Sequence, residues 1–277
     1  MNKKAQIALF LIAGIVLFII FVFLSAIKQQ SNTTNGLNSN QNNPIEIQAQ
    51  FHTESKLTGY IDSCLKQTTE QAILSNGLHG GYFNLPKEST SDLQENIPYY
   101  SQNNNVLNNN PQKINFLYPS DEILLKQISS YVDSLLPICL NNFIQFKEQG
   151  YLIKINQQMP STTNAIFSAD GLIIKTNLPI TITKESTKES AQIQLANFMV
   201  ELPAKDLHTN FKLAKIIAET MEQKEICYTC FSKIAEQNNI SVNIIHLQNN
   251  VYLFELINTD YKINDEQYKL RFGVKYE

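Results

Sequence analysis

Ile7 to Ile27 is a run of 21 residues without a charge, preceded by Lys3 and Lys4 and followed by Lys28. A helix rising about 1.5 Å per residue covers about 30 Å over that length, the thickness of a bilayer's hydrocarbon core. This feature constrains the chain more than any other, because it divides the molecule into a membrane anchor and everything after it. The basic residues ahead of the run predict a cytoplasmic N-terminus, with the C-terminal part outside the cell. Two other readings stand beside the anchor. A cleaved secretory signal has an apolar region of 7–15 residues, shorter than this one, and Leu24-Ser25-Ala26 is a mediocre cleavage site. A buried helix of a soluble protein is the third reading.

Past Lys28 the composition excludes some functions. Setting aside Lys3, Lys4 and Lys28 leaves 19 basic against 25 acidic residues, a formal charge of −6, and Arg271 is the only arginine. Nucleic-acid binding requires clustered Lys or Arg to neutralise phosphates, and no such cluster occurs. The expected partners are the membrane, through residues 7–27, and proteins at the cell surface.

The sequence predicts four segments: an anchor over 1–29, a flexible linker over 30–45, a helical region over 46–150 and an antiparallel β-sheet region over 151–277. Gln30 to Pro44 is rich in Asn, Ser, Thr and Gln. It has too little apolar surface to offset its ordering entropy. Leu57, Ile61, Cys64, Leu65, Thr68, Ala72 and Leu78 then recur at helical spacing. Gly77 and Gly80-Gly81 end that helix. Residues 82–118 read as a long irregular loop whose aromatic residues, among them Tyr82, Tyr100 and Tyr118, argue that parts of it pack down.

A second helix starts after Ser120, whose hydroxyl is a natural cap, with Asp121 and Glu122 at its positive end. Its apolar stripe runs from Ile123 and Leu124 through Ile128, Val132 and Leu135 to Cys139, Phe143 and Phe146, and Gly150 closes it. Pro137 predicts a kink or a split. Alternating strands follow, with Asp170-Gly171 as a tight turn and Lys184 to Glu189 as a solvated hairpin tip. Two helical segments over 206–238 interrupt the strands, and three more strands finish the chain. The class is α+β, with helices covering one face of the sheets.

The cysteines carry the sharpest chemical signal. Outside a membrane, an even number favours disulfides. Cys64 and Cys139 lie on the apolar stripes of two helices long enough to pack side by side, so they predict one bridge. Cys227-Tyr228-Thr229-Cys230 is a CxxC with three readings. One is a redox centre, which requires a helix start after a strand. Another is half of a metal site, which requires four ligands that only Cys64 and Cys139 could complete. The third is a local structural disulfide. No cofactor and no metal is expected, and no catalytic residue is nominated. His79-Gly80-Gly81 reads as a helix end, because no Gly-x-Ser-x-Gly motif accompanies it. His52, His208 and His246 are isolated. Asp121-Glu122 and Glu219/Glu222 read as solvated helix faces.

Two resemblances add to this. Lys3-Lys4-Ala5-Gln6 ahead of the apolar run resembles an archaeal class III, prepilin-type signal, which implies cleavage between Ala5 and Gln6 with the helix retained. That family often carries Glu five residues into the mature helix. Here that position is Phe10, which puts filament assembly in doubt. The segments Ser63-Cys64-Leu65-Lys66-Gln67, Gly77 to Tyr82 and Leu136 to Phe143, together with the CxxC, resemble a family of archaeal membrane-anchored envelope proteins. That resemblance implies an anchor and paired cysteines, and no catalytic residue. The expected function is a single-pass surface protein with a structural or contact role. A membrane-tethered thiol–disulfide oxidoreductase using Cys227 and Cys230 is the alternative. A hydrolase or binding protein with a site in the 82–118 loop is a third possibility.

Overall fold

The computed structural model describes residues 44–275 apart from 88, 91–95, 105–112, 157–160, 185–192, 221–226 and 248–249. The apolar run Ile7–Ile27, the Ala5–Gln6 junction and most of the 30–45 linker therefore lie outside the described residues, as do residues 185–189 of the expected hairpin tip. Thr53–Glu277 is one compact unit.

Helix α1 spans Pro44–Leu78. It starts earlier than the apolar stripe predicts, because Pro44 suits a first helical turn, so helix occupies the last residues of the expected linker. Leu57, Ile61, Cys64, Leu65, Ala72 and Ile73 form its buried face. Its end is a glycine cap. Gly80 and Gly81 take positive φ values of 57° and 87°, and the Gly81 N–H donates to the Asn76 carbonyl at 2.7 Å.

Residues 82–118 are not a plain loop. They contain β1 (Ser89–Thr90), β2 (Ile97–Asn104) and β3 (Lys113–Phe116). Polar Asn and Gln dilute the alternation of β2, and its partner strand lies at the far end of the chain, so the pattern alone does not announce it. The C-terminal strands β8 (Ile240–His246), β9 (Val251–Ile263) and β10 (Glu266–Lys275) complete a six-stranded sheet ordered β1-β2-β10-β9-β8, with β3 also on β2. The β2–β10 pair is parallel, whereas every other pair is antiparallel. Asn264 and Asp265, both at positive φ, make the tight β9–β10 turn.

Helix α2 spans Asp121–Leu140. Ser120 caps it, and its Oγ accepts from the Ile123 N–H at 3.3 Å. Pro137 does not break the helix. The break falls at Asn141–Phe143, where three successive residues adopt left-handed φ values of 43°, 50° and 55°. A four-residue helix α3 (Ile144–Lys147) follows. The stretch Asp121–Lys147 is long and apolar enough to cross a membrane by length and composition. Its Leu124, Ile128, Val132, Leu136 and Leu140 are nevertheless buried in the protein core. Ile123, expected on that stripe, is exposed.

The second sheet holds β4 (Tyr151–Ile155), β5 (Thr162–Phe167), β6 (Leu172–Lys184) and β7 (Ile193–Leu202). Strands β4 and β5 share one side of β6, and β7 takes the other. Pro179, which has no N–H to donate, sits where the β6–β7 register shifts between Asn177 and Ile180. Helices α4 (Lys205–Thr220) and α5 (Tyr228–Gln237) lie between the two sets of strands in sequence. A single apolar cluster draws on the helices and both sheets, so strands on either side of residue 150 share one core.

Candidate functional site

The CxxC forms the first turn of α5. Cys227 is the N-cap and its side chain makes no capping bond. The Cys230 N–H donates to the Cys227 carbonyl at 3.0 Å. Phe231 and Ala235, four residues apart, bury one face of α5. That orientation turns Tyr228, Thr229 and Cys230 outward, with Tyr228 57% exposed. Cys227 and Cys230 form a disulfide with Cα atoms 5.3 Å apart. The Thr229 hydroxyl lies 3.6 Å from the Cys227 sulfur. A disulfide sulfur carries no proton, so the hydroxyl is the donor. The preceding described element is helix α4 rather than a strand, as a structural bridge between helices requires. A redox centre requires an exposed first thiol; here Cys227 is half-buried and the exposed sulfur belongs to Cys230.

Cys64 and Cys139 form the second disulfide, with Cα atoms 5.7 Å apart and a sequence separation of 75. It joins the middle of α1 to the end of α2. Cys64 is 4% exposed. Directly beyond Cys139 lies the left-handed run, in which non-glycine residues each cost about 1–3 kcal/mol. The Tyr60 hydroxyl steadies this turn with donations toward the Cys139 and Leu140 carbonyls at 3.0 and 3.2 Å. Its ring packs against Phe143 and Phe146. The sequence gives no sign of Tyr60's role, because the residues it touches lie about 80 positions away.

Loop-closure entropy separates the two bridges. The 75-residue separation corresponds to about 4–5 kcal/mol, the three-residue separation to about 2 kcal/mol. Because all four cysteines are committed to these pairs, they do not assemble into a four-thiolate metal site. Among the described residues no group of three or more His, Cys, Asp or Glu is placed to hold a metal ion.

The remaining nominated groups sit in local contacts. The His79 ring is 2.8 Å from the Ser75 carbonyl, within the α1 cap. His208 Nε2 lies 3.1 Å from Asp121 Oδ2, and the ring stacks on Phe167. His246 stacks on Tyr252. Glu219 accepts from the Tyr118 hydroxyl at 2.7 Å and has Lys215 at 3.9 Å. The His52 side chain and Glu222 lie outside the described residues. Burial pushes the hydroxyls of Tyr82, Tyr118 and Tyr261 up to about 12, and those of Tyr100 and Tyr268 well above their ordinary value. For Tyr118, the Glu219 carboxylate adds to that effect. A surface cleft of about 670 Å³ lies between Leu74 and Leu78 of α1 and the charged side chains of the β9–β10 hairpin. Its Arg271 is paired to Glu255 at 2.7 Å. The chain matches no protein-family model, no curated protein and no solved structure.

Proposed function

We propose that the chain is a single-pass membrane protein whose ectodomain has a structural or contact role at the cell surface. Residues 7–27 are the anchor in this reading, the N-terminus is cytoplasmic, and the unit beginning at Thr53 is extracellular. The observation that carries the reading is the commitment of all four cysteines to disulfides, a state that persists on the oxidising side of a membrane. It agrees with the direction given by Lys3 and Lys4 ahead of the charge-free run. The engagement of His79, His208 and Glu219 in local structural contacts supports contact rather than turnover.

The test is protease treatment of intact cells, followed by thiol counting on the recovered protein. The expected result is digestion of the ectodomain, a protected N-terminal fragment and no free thiol before reduction. Full-length protein in the cytosol with four reduced cysteines would overturn the reading. The prepilin-like resemblance at Lys3-Lys4-Ala5-Gln6 belongs to the same proposal and predicts a mature protein beginning at Gln6. N-terminal sequencing that finds Met1, or a start beyond Ala26, removes that route and leaves the anchor itself standing or falling on the protease result.

A further inference from the structure

We infer that the Cys227–Cys230 disulfide is a thiol-exchange site that passes two electrons to and from a protein dithiol, while Cys64–Cys139 stays closed. The inference rests on the surface chemistry of α5 and does not depend on the anchor.

Three observations meet at this site. The first is access: Tyr228, Thr229 and Cys230 face solvent on the first turn of α5 and Cys227 is half-buried, whereas Cys64 is 4% exposed and its partner Cys139 is half-buried. A thiolate can reach the sulfur of the first bridge without unfolding the protein. The second is the leaving group. When an incoming thiolate attacks the exposed Cys230 sulfur, the S–S bond breaks and its electron pair departs on Cys227. That sulfur sits at the N-cap of a ten-residue helix, where the unpaired N–H groups favour negative charge. The Thr229 hydroxyl, 3.6 Å away, donates to it, and a leaving thiol held as thiolate departs faster. The third is tolerance. The bridge spans three residues, and Phe231 and Ala235 hold α5 on the core, so opening it leaves the fold in place.

The exchange balances as follows. One thiolate of the partner forms a mixed disulfide with Cys230 and frees the Cys227 thiolate. The partner's second thiolate then attacks its own sulfur in the mixed disulfide and displaces the Cys230 thiolate, and both protein thiolates take up protons. The protein disulfide has gained two electrons and two protons, and the partner dithiol has become a disulfide. The reverse sequence reduces a partner disulfide and closes the Cys227–Cys230 bridge again. Tyr228 offers an exposed aromatic surface beside the sulfurs for the partner's polypeptide.

The test uses the full chain, folded in detergent, with dithiothreitol as the probe dithiol. Samples are quenched with acid at increasing times, alkylated and mapped as peptides, with circular dichroism recorded in parallel. Cys227 and Cys230 are expected to become labelled at least about tenfold faster than Cys64 and Cys139, with the dichroism unchanged. Brief exposure to reduced glutathione is expected to place the mixed disulfide on Cys230. Opening of both bridges together, opening of Cys64–Cys139 first, or labelling of Cys227 and Cys230 only as the dichroism collapses would overturn the inference. Thr229→Val preserves side-chain size and removes the donor. It is expected to slow labelling of the Cys227–Cys230 pair without shifting the melting temperature, and an unchanged rate would remove the hydroxyl from the mechanism.

Discussion

The two disulfides have the same chemistry and opposite settings. Cys64–Cys139 ties two helices across a separation of 75 residues, next to a strained turn, with Cys64 buried and Cys139 half-buried. Cys227–Cys230 closes one exposed turn of one helix. The first removes much of the freedom of the unfolded chain, and the second removes little. The comparison teaches that a bridge's contribution to stability and its availability to other thiols are both set by location. Here they run in opposite directions.

The largest break in the comparison comes from removing the long bridge. Replacing Cys64 and Cys139 together with Ala is expected to cost about 4–5 kcal/mol, measured by chemical denaturation. A loss below about 2 kcal/mol would erase the contrast. High pH is expected to act next, through tyrosines elsewhere in the fold. Tyr82, Tyr100, Tyr118, Tyr261 and Tyr268 all have raised values in the folded state. Between about pH 10 and 12 the unfolded chain therefore binds fewer protons than the folded one, and stability falls as pH rises. The stabilisation is fully present below pH 10. Melting temperatures measured from pH 8 to 12 check this, and a flat profile would contradict it.

Gly77→Ala is expected to cost about 1–3 kcal/mol. A Cβ there would press on the Lys269 carbonyl and come within 2.6 Å of the Tyr268 ring. Replacing Cys227 and Cys230 together with Ser is expected to cost about 2 kcal/mol or less. A loss equal to that of the long bridge would show that the CxxC is a structural clamp after all. The smallest effect is Tyr60→Phe, at about 1 kcal/mol, because it removes a hydroxyl's bonds to the Cys139 and Leu140 carbonyls and keeps the ring. An unchanged denaturation midpoint would show that the disulfide alone holds the left-handed turn.

The readable parts of this molecule are those written within a few turns of chain. Ser120 with Asp121 and Glu122 marks the start of α2, and the glycines at 80 and 81 mark the end of α1. The apolar spacing through Leu57, Ile61 and Cys64 gives the buried face of α1. Pro137 misleads because its effect depends on neighbours. Here α2 continues through it, and the break is made by Asn141 and Asn142, residues that tolerate left-handed backbone. At the CxxC, the sequence supplies the sulfurs and their spacing but leaves their exposure open. Exposure follows from which face of α5 is buried, and Phe231 and Ala235 decide that by packing on the core.

The sequence by itself determines the α+β class, the apolar run with basic residues ahead of it, the helix ends and the cysteine pattern. Each follows from residues close enough along the chain to interact through one turn, one cap or one alternating stretch. Only the tertiary structure decides that β2 lies parallel to β10, that strands before residue 150 share a core with those after it, and that Cys64 is buried in one disulfide while Cys230 is exposed in the other. Those outcomes depend on which distant surfaces meet. Burial is a property of the neighbours a residue acquires, and local spacing does not encode them.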